Sequence, residues 1–167
     1  LRDSEWILKD QLAFGVIYGL SEHPEAAFEA FLNVRDKARD LDLPEVEEAA
    51  DCNMGRICSD QNRFEEGLGF LNAAQKLIDK TGNREHQAAV LHEIGRIELK
   101  QGHLETAALQ LEEADRIVSE EQGYLCYENL ISLGELYTRS SRFDEAFSKL
   151  EMALDLCRGN GVRLGEV

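Results

Sequence analysis

The sequence predicts an all-α protein built as a stack of four helix-turn-helix repeats. Three observations carry this. Gly15, Gly55, Gly95 and Gly134 recur at spacings of 40, 40 and 39 residues, and a period of that size signals stacked supersecondary units. Apolar residues recur at the 3.6-residue helical spacing through both halves of each unit, with a break near its fifteenth position. No stretch reads as a strand.

If each of these glycines is position 8 of its repeat, other positions fall into register. Position 20 is Ala27, Gly67, Ala107 and Ala146; position 27 is Val34, Ala74, Ala114 and Ala153. Position 7 is Phe14, Met54, Ile94 and Leu133; position 24 is Phe31, Leu71, Leu111 and Leu150. The small residues let two helices approach closely, and the large apolar ones at 7 and 24 are expected to fill the space between them.

The helices follow in order. The first, 3–20, carries the longest apolar run, Leu12 to Leu20. The second, 24–41, and third, 45–61, begin at or beside Pro24 and Pro44, and proline suits the first helical turn. Asn62 marks the turn into the fourth, 64–81, which Gly82 ends. Asn83 starts the fifth, 84–101, and Gly102 stops it. The sixth, 104–121, ends before Gly123. The seventh, 124–140, and eighth, 143–158, follow, with Gly159-Asn160-Gly161 as a helix end and turn.

Composition bounds the function. Of 167 residues 43% are hydrophobic, enough for a continuous core in one domain, 1–167, with repeats at 1–43, 44–82, 83–122 and 123–161. Nine apolar residues in a row cannot span a bilayer, which needs about 20. With 33 acidic against 18 basic residues the net charge is −15, which repels phosphate backbones and disfavours nucleic acid as a partner. Cys52, Cys58, Cys126 and Cys157 form no CxxC pair and read as small core hydrophobes in a reducing cytoplasm.

The unit LISLGELYTRSSRFDEAFSKLEMAL, with Leu133, Gly134, Tyr137, Ala146, Leu150 and Ala153, resembles the tetratricopeptide repeat (TPR) family, and the likeness runs along nearly the whole chain. The resemblance implies a right-handed superhelical array, an α-solenoid. The chain departs from the family at two places and in its period. Position 4, an aromatic in the family, is Gln11, Asp51, Leu91 and Leu130; the proline near position 32 is absent. The period exceeds the family's 34 residues, as in bacterial regulatory and signalling proteins. Gly161-Val162-Arg163 repeats Gly82-Asn83-Arg84, so a fifth unit is expected to start at 162–167 and the chain to belong to a longer protein.

The resemblance also places a binding groove on the first helix of each repeat. In repeat 1 the groove positions are Leu12, Val16 and Leu20, one apolar stripe. An open stripe of this kind suits a partner helix, a peptide or a second copy; otherwise neighbouring sequence covers it. In the later repeats the groove residues are Asn53, Arg56, His92, Arg96, Lys100 and Arg139. Their cations suit a carboxylate-rich segment, although Arg56 with Asp60 and Glu135 with Arg139 are also ordinary i,i+4 pairs.

No HExxH and no Gly-rich phosphate loop occurs, and His86 and His92 lie on different helix faces. Neither an enzyme nor a cofactor or metal is therefore expected, and Trp6 reads as packing. The reading is a cytoplasmic protein–protein interaction module, the scaffolding or sensory segment of a larger signalling or transcription-regulating protein. Two rivals stand beside it: a homo-oligomerisation module, and a sensor holding an anionic small ligand on Arg56, Arg96, Lys100 and Arg139.

Overall fold

The computed structural model describes residues 2–20, 23–121 and 126–159, with side chains within 5–16, 23–119 and 127–158. These residues form eight helices and, among them, no strand. In chain order they are α1 (Arg2–Leu20), α2 (Pro24–Asp40), α3 (Pro44–Asp60), α4 (Phe64–Thr81), α5 (Arg84–Gln101), α6 (Leu104–Glu121), α7 (Cys126–Arg139) and α8 (Phe143–Gly159). The chain divides into two compact units, Leu1–Glu93 and Ile94–Val167. The expected fifth repeat, Gly123 and the Cys126 side chain lie outside the described residues.

Local chemistry sets the boundaries. Pro24 and Pro44 occupy the first turns of α2 and α3, where a missing N–H costs nothing. Asn83 caps α5 by accepting the His86 backbone N–H on its side-chain oxygen at 3.1 Å. The helix ends share a second device. Asp42, Asn62, Gly102 and Ser141 all adopt positive φ. The N–H of the residue after each then reaches back five residues: Leu43 to Ala38, Arg63 to Cys58, His103 to Glu98 and Arg142 to Tyr137, at 2.8 to 2.9 Å. This closure satisfies carbonyls that the helix end would otherwise leave bare.

Ser141, at φ 59°, is the least suited of the four to this conformation, because serine carries a Cβ and lacks the local hydrogen-bonding tolerance of Asn or Asp. Ser141→Gly is expected to raise stability by about 0.5–1 kcal/mol, read as a higher midpoint in thermal unfolding.

In the first unit α1 packs on α2, α2 on α3 and α3 on α4. One apolar layer joins Leu8, Val34, Ala38, Val46 and Ala50. A second joins Ala27, Phe31, Met54 and Ile57. In the second unit Ala107 and Leu111 of α6 meet Leu133, Leu136 and Tyr137 of α7. The repeat glycines permit this spacing. A Cβ on Gly15 would stand 2.6 Å from Phe31, on Gly55 2.6 Å from Leu71, on Gly95 2.6 Å from Leu111 and on Gly134 2.6 Å from Leu150. The register thus holds in all four repeats, the first included.

Three packing expectations fail. Phe14 is 59% exposed and Leu150 44%, although their counterparts Met54, Leu133, Phe31, Leu71 and Leu111 are fully buried. Trp6, expected to pack, is 71% exposed. Each lies on a face of α1 or α8 that, at the equivalent repeat positions elsewhere, meets a neighbouring helix.

Candidate functional site

In the first unit the predicted site residues sit among packing groups. Leu12 and Val16 are half buried, and both pack against the layer of Ala27, Phe31, Met54 and Ile57. Leu12 also touches the layer of Leu8 and Val46. Only part of each side chain is left for a partner; the Leu20 side chain lies outside the described residues. Asn53 donates its amide to the Ala49 carbonyl at 2.8 Å and accepts from Arg56 Nη2 at 3.3 Å, so Asn53 holds the half-buried Arg56 on the same helix face. His92 corrects the sequence reading: at 2% exposed it is a buried side chain, its Nδ1 3.8 Å from Glu93 Oε1, and it presents no surface to a ligand.

The second unit links the helices that carry its predicted residues. Arg139 on α7 donates from Nη1 to the Leu99 carbonyl at 2.8 Å. The bond crosses from α7 to the end of α5, where Lys100 is the next residue in sequence after Leu99. Arg96 lies one turn earlier on α5, half buried. The other nitrogen, Arg139 Nη2, pairs with Glu135 at 2.6 Å, with both side chains about half exposed, so this ion pair is worth little in water and yields easily to a competing anion. Ile131, 45% exposed, stands one turn before Glu135 on the same face of α7. Thr138, on that face too, is occupied by the Gly134 carbonyl at 2.8 Å. Arg139 and its Glu135 partner thus stand on the α7 face that carries Ile131.

Sequence reading missed the buried acids of the first unit. Glu48 is fully buried, accepting from Thr81 Oγ1 at 3.0 Å and paired with His86 Nδ1 at 2.6 Å. The contact ties α3 to the start of α5 and is structural. Asp51 is 1% exposed; neither carboxylate oxygen has a hydrogen-bond partner, and Arg35 Nη1 stands 3.8 Å away. Burial pushes its carboxyl up to about 6, against the opposing pull of Arg35.

The cysteines with described side chains fit the core reading. Cys58 and Cys157 are buried and Cys52 half buried, all as free thiols. Burial pushes the Cys52 thiol up to about 12 and raises that of Cys58, which leaves little thiolate for nucleophilic chemistry. Among the described residues no group of three or more His, Cys, Asp or Glu is placed to hold a metal ion. No described helix is long and apolar enough to cross a membrane.

Residues 46–119 match the model of the tetratricopeptide repeat. Within those residues the repeats are of the tetratricopeptide type. Solved structures agree on the fold. The chain is similar to BtubC (BKLC) from P. vanneervenii, at 16% identity and a TM-score of 0.72, over 98% of this chain and 68% of that one. It is also similar to a Podosopora anserina protein described as a kinesin light chain with nearly identical TPR-like repeats, at 19% identity and a TM-score of 0.68, over 91% and 75% of the two chains. At such identities the likeness establishes the fold alone. No curated protein sequence matches the chain. Tetratricopeptide repeats of this kind suggest a protein–protein interaction module.

Proposed function

We propose that this chain is a recognition module that binds an acidic peptide or helix on the first-helix faces of its repeats, as the scaffolding or sensory part of a larger regulatory protein. The observation that carries this is the Arg139–Leu99 hydrogen bond, which anchors a guanidinium at the end of α5, the helix of Arg96 and Lys100, in a chain of net charge −15. Two cations gathered on one face of so acidic a molecule favour a partner carboxylate over a phosphate backbone, which the surrounding charge repels. Ile131 supplies the apolar contact that an amphipathic helix needs. Recognition of this kind makes and breaks no covalent bond. It would act on an attached domain by favouring one conformation over another.

The test is fluorescence anisotropy with a labelled amphipathic peptide whose polar face is glutamate, beside the same peptide with glutamine in its place. Arg139→Ala and Lys100→Ala are each expected to weaken binding of the acidic peptide about tenfold, the worth of one charge-assisted hydrogen bond. Glu135→Gln, which releases Arg139 from its tether, is expected to strengthen it. Equal binding of the two peptides, or an Arg139→Ala chain with unchanged affinity, would overturn the reading.

A further inference from the structure

Asp51 sits in the seam between α2 and α3. The apolar layer of that seam joins Val34 and Ala38 of α2 to Val46 and Ala50 of α3, with Leu8 of α1. Asp51, the residue after Ala50, holds position 4 of repeat 2; the same position in repeat 4 is Leu130, fully buried. The place therefore suits an apolar side chain. A carboxylate there has lost its water, and with neither oxygen hydrogen-bonded it has gained nothing in return. Gln11, at position 4 of repeat 1, also leaves its side-chain oxygen buried and unpartnered. Polar groups at a packing position in both repeats of the first unit break a local rule, and such breaks concentrate at functional sites.

Two cations act on Asp51, and both are committed elsewhere. Arg35 Nη1 is 3.8 Å from Asp51 Oδ1, beyond hydrogen-bond distance. Its Nε and Nη2 both donate to Asp36 Oδ1, at 3.2 and 3.0 Å. Arg39 donates from Nε and Nη2 to Glu47 Oε1 at 2.8 and 2.6 Å, a bridge from α2 to α3. The charged groups acting on Asp51 are thus Arg35, Arg39 and Asp36 from α2 and Glu47 from α3. α1 adds Leu8 to the seam, and α4 adds the Phe70 ring beside Arg35.

We propose that the α2–α3 seam is a pH-responsive joint, closed while Asp51 holds its proton and opening locally in a larger share of molecules once Asp51 ionises. Opening lets water reach the carboxylate and lets Arg35 turn from Asp36 to Asp51. Arg35 loses little by turning, because Asp36 is 58% exposed and an exposed ion pair is weak. The seam joins the second helix of repeat 1 to the first helix of repeat 2, so its opening changes how those two repeats pack. Burial sets the range: it holds the carboxyl at about 6, close to neutral pH. The inference is independent of the acidic-peptide reading.

Native-state hydrogen exchange on the 167-residue chain at pH 5 and 7.5, corrected for the intrinsic pH dependence of amide exchange, tests it. In wild type, protection of the α2 and α3 amides is expected to fall about tenfold between the two, as follows from a carboxyl at about 6 in the closed seam and 3.8 in the open one. Amides of α7 and α8 should keep theirs. Asp51→Asn, which has no proton to lose, should remove the fall. Asp36→Asn removes an acid that opposes ionisation and releases Arg35, so the fall should set in at a lower pH. Constant wild-type protection in α2 and α3 overturns the proposal. So does a fall that persists in Asp51→Asn, and so does one of equal size in α7 and α8, which would mean global unfolding in place of a local joint.

Discussion

Gly55→Ala and Gly95→Ala are each expected to destabilise the protein by about 1–3 kcal/mol, while Gly134→Ala is expected to be neutral or to stabilise it by up to about 1 kcal/mol. On helix propensity alone all three should gain, since alanine in a helix interior is favoured over glycine by roughly 1 kcal/mol. The contact decides the sign. The added Cβ would lie 2.6 Å from a leucine Cγ in each case, with Gly67 O at 3.3 Å from that of Gly55 and Gln110 Cβ at 3.3 Å from that of Gly95. Leu71 and Leu111 are fully buried and have nowhere to retreat, whereas Leu150 is 44% exposed and can turn outward. Overpacking a close-packed interior forces off-rotamer side chains or a backbone shift. Denaturant unfolding of the three variants checks the order. A double-mutant cycle checks the cause: in a Leu111→Ala background, which itself costs about 2–5 kcal/mol, Gly95→Ala should lose its penalty. Equal effects at all three glycines would show that the neighbouring leucine does not set the cost.

The same glycines explain why the fold was legible. A repeat states its constraints several times over, so Gly55, Gly95 and Gly134 each report the same helix–helix approach, and Gly15 shares it although the first repeat is the least regular in sequence. Turn chemistry was equally local: Pro24, Pro44, Asn83, Gly82 and Gly102 sit at the helix ends they announce. Exposure on α1 and α8 was not legible, because register specifies the face a residue occupies and is silent on whether anything covers it. Phe14 and Met54 share a register position and differ completely in burial.

The candidate patch was legible only in part. Family register put Arg96, Lys100 and Arg139 on first helices, but the bond from Arg139 to the Leu99 carbonyl joins residues 40 apart and depends on how α5 and α7 approach. His92 failed for the opposite reason: a polar residue at a nominal groove position can still be covered. The buried acids did leave a signal. Position 4 is apolar in repeat 4, where Leu130 is 1% exposed, and an aromatic in the family, so an aspartate there in repeat 2 already implied a charge in a packed place.

That aspartate yields the second large prediction. Asp51→Asn is expected to stabilise the chain by about 1–3 kcal/mol at pH 7, and the gain should vanish toward pH 4. Burial holds the Asp51 carboxyl at about 6 in the folded chain, against an ordinary value of 3.8. The folded state therefore binds the proton more tightly than the unfolded one. Between pH 4 and 6 it carries more protons, so this group's contribution to stability falls as pH rises, and above pH 6 the full penalty of a buried carboxylate remains. The charges around it do not cancel the penalty. Arg35 and Arg39 on α2 favour the ionised form, Glu47 and Asp36 oppose it, and burial outweighs them all. Nor does Arg35 need Asp51: it bonds Asp36 at 3.0 Å and lies 5.8 Å from the centroid of the Phe70 ring. The asparagine keeps the shape of the side chain without the charge, at a site where neither oxygen has a hydrogen-bond partner to lose. Unfolding midpoints of wild type and Asp51→Asn, measured from pH 4 to 8, should diverge as pH rises. Parallel curves would mean that Asp51 is ionised at no cost, with Arg35 compensating its burial in full.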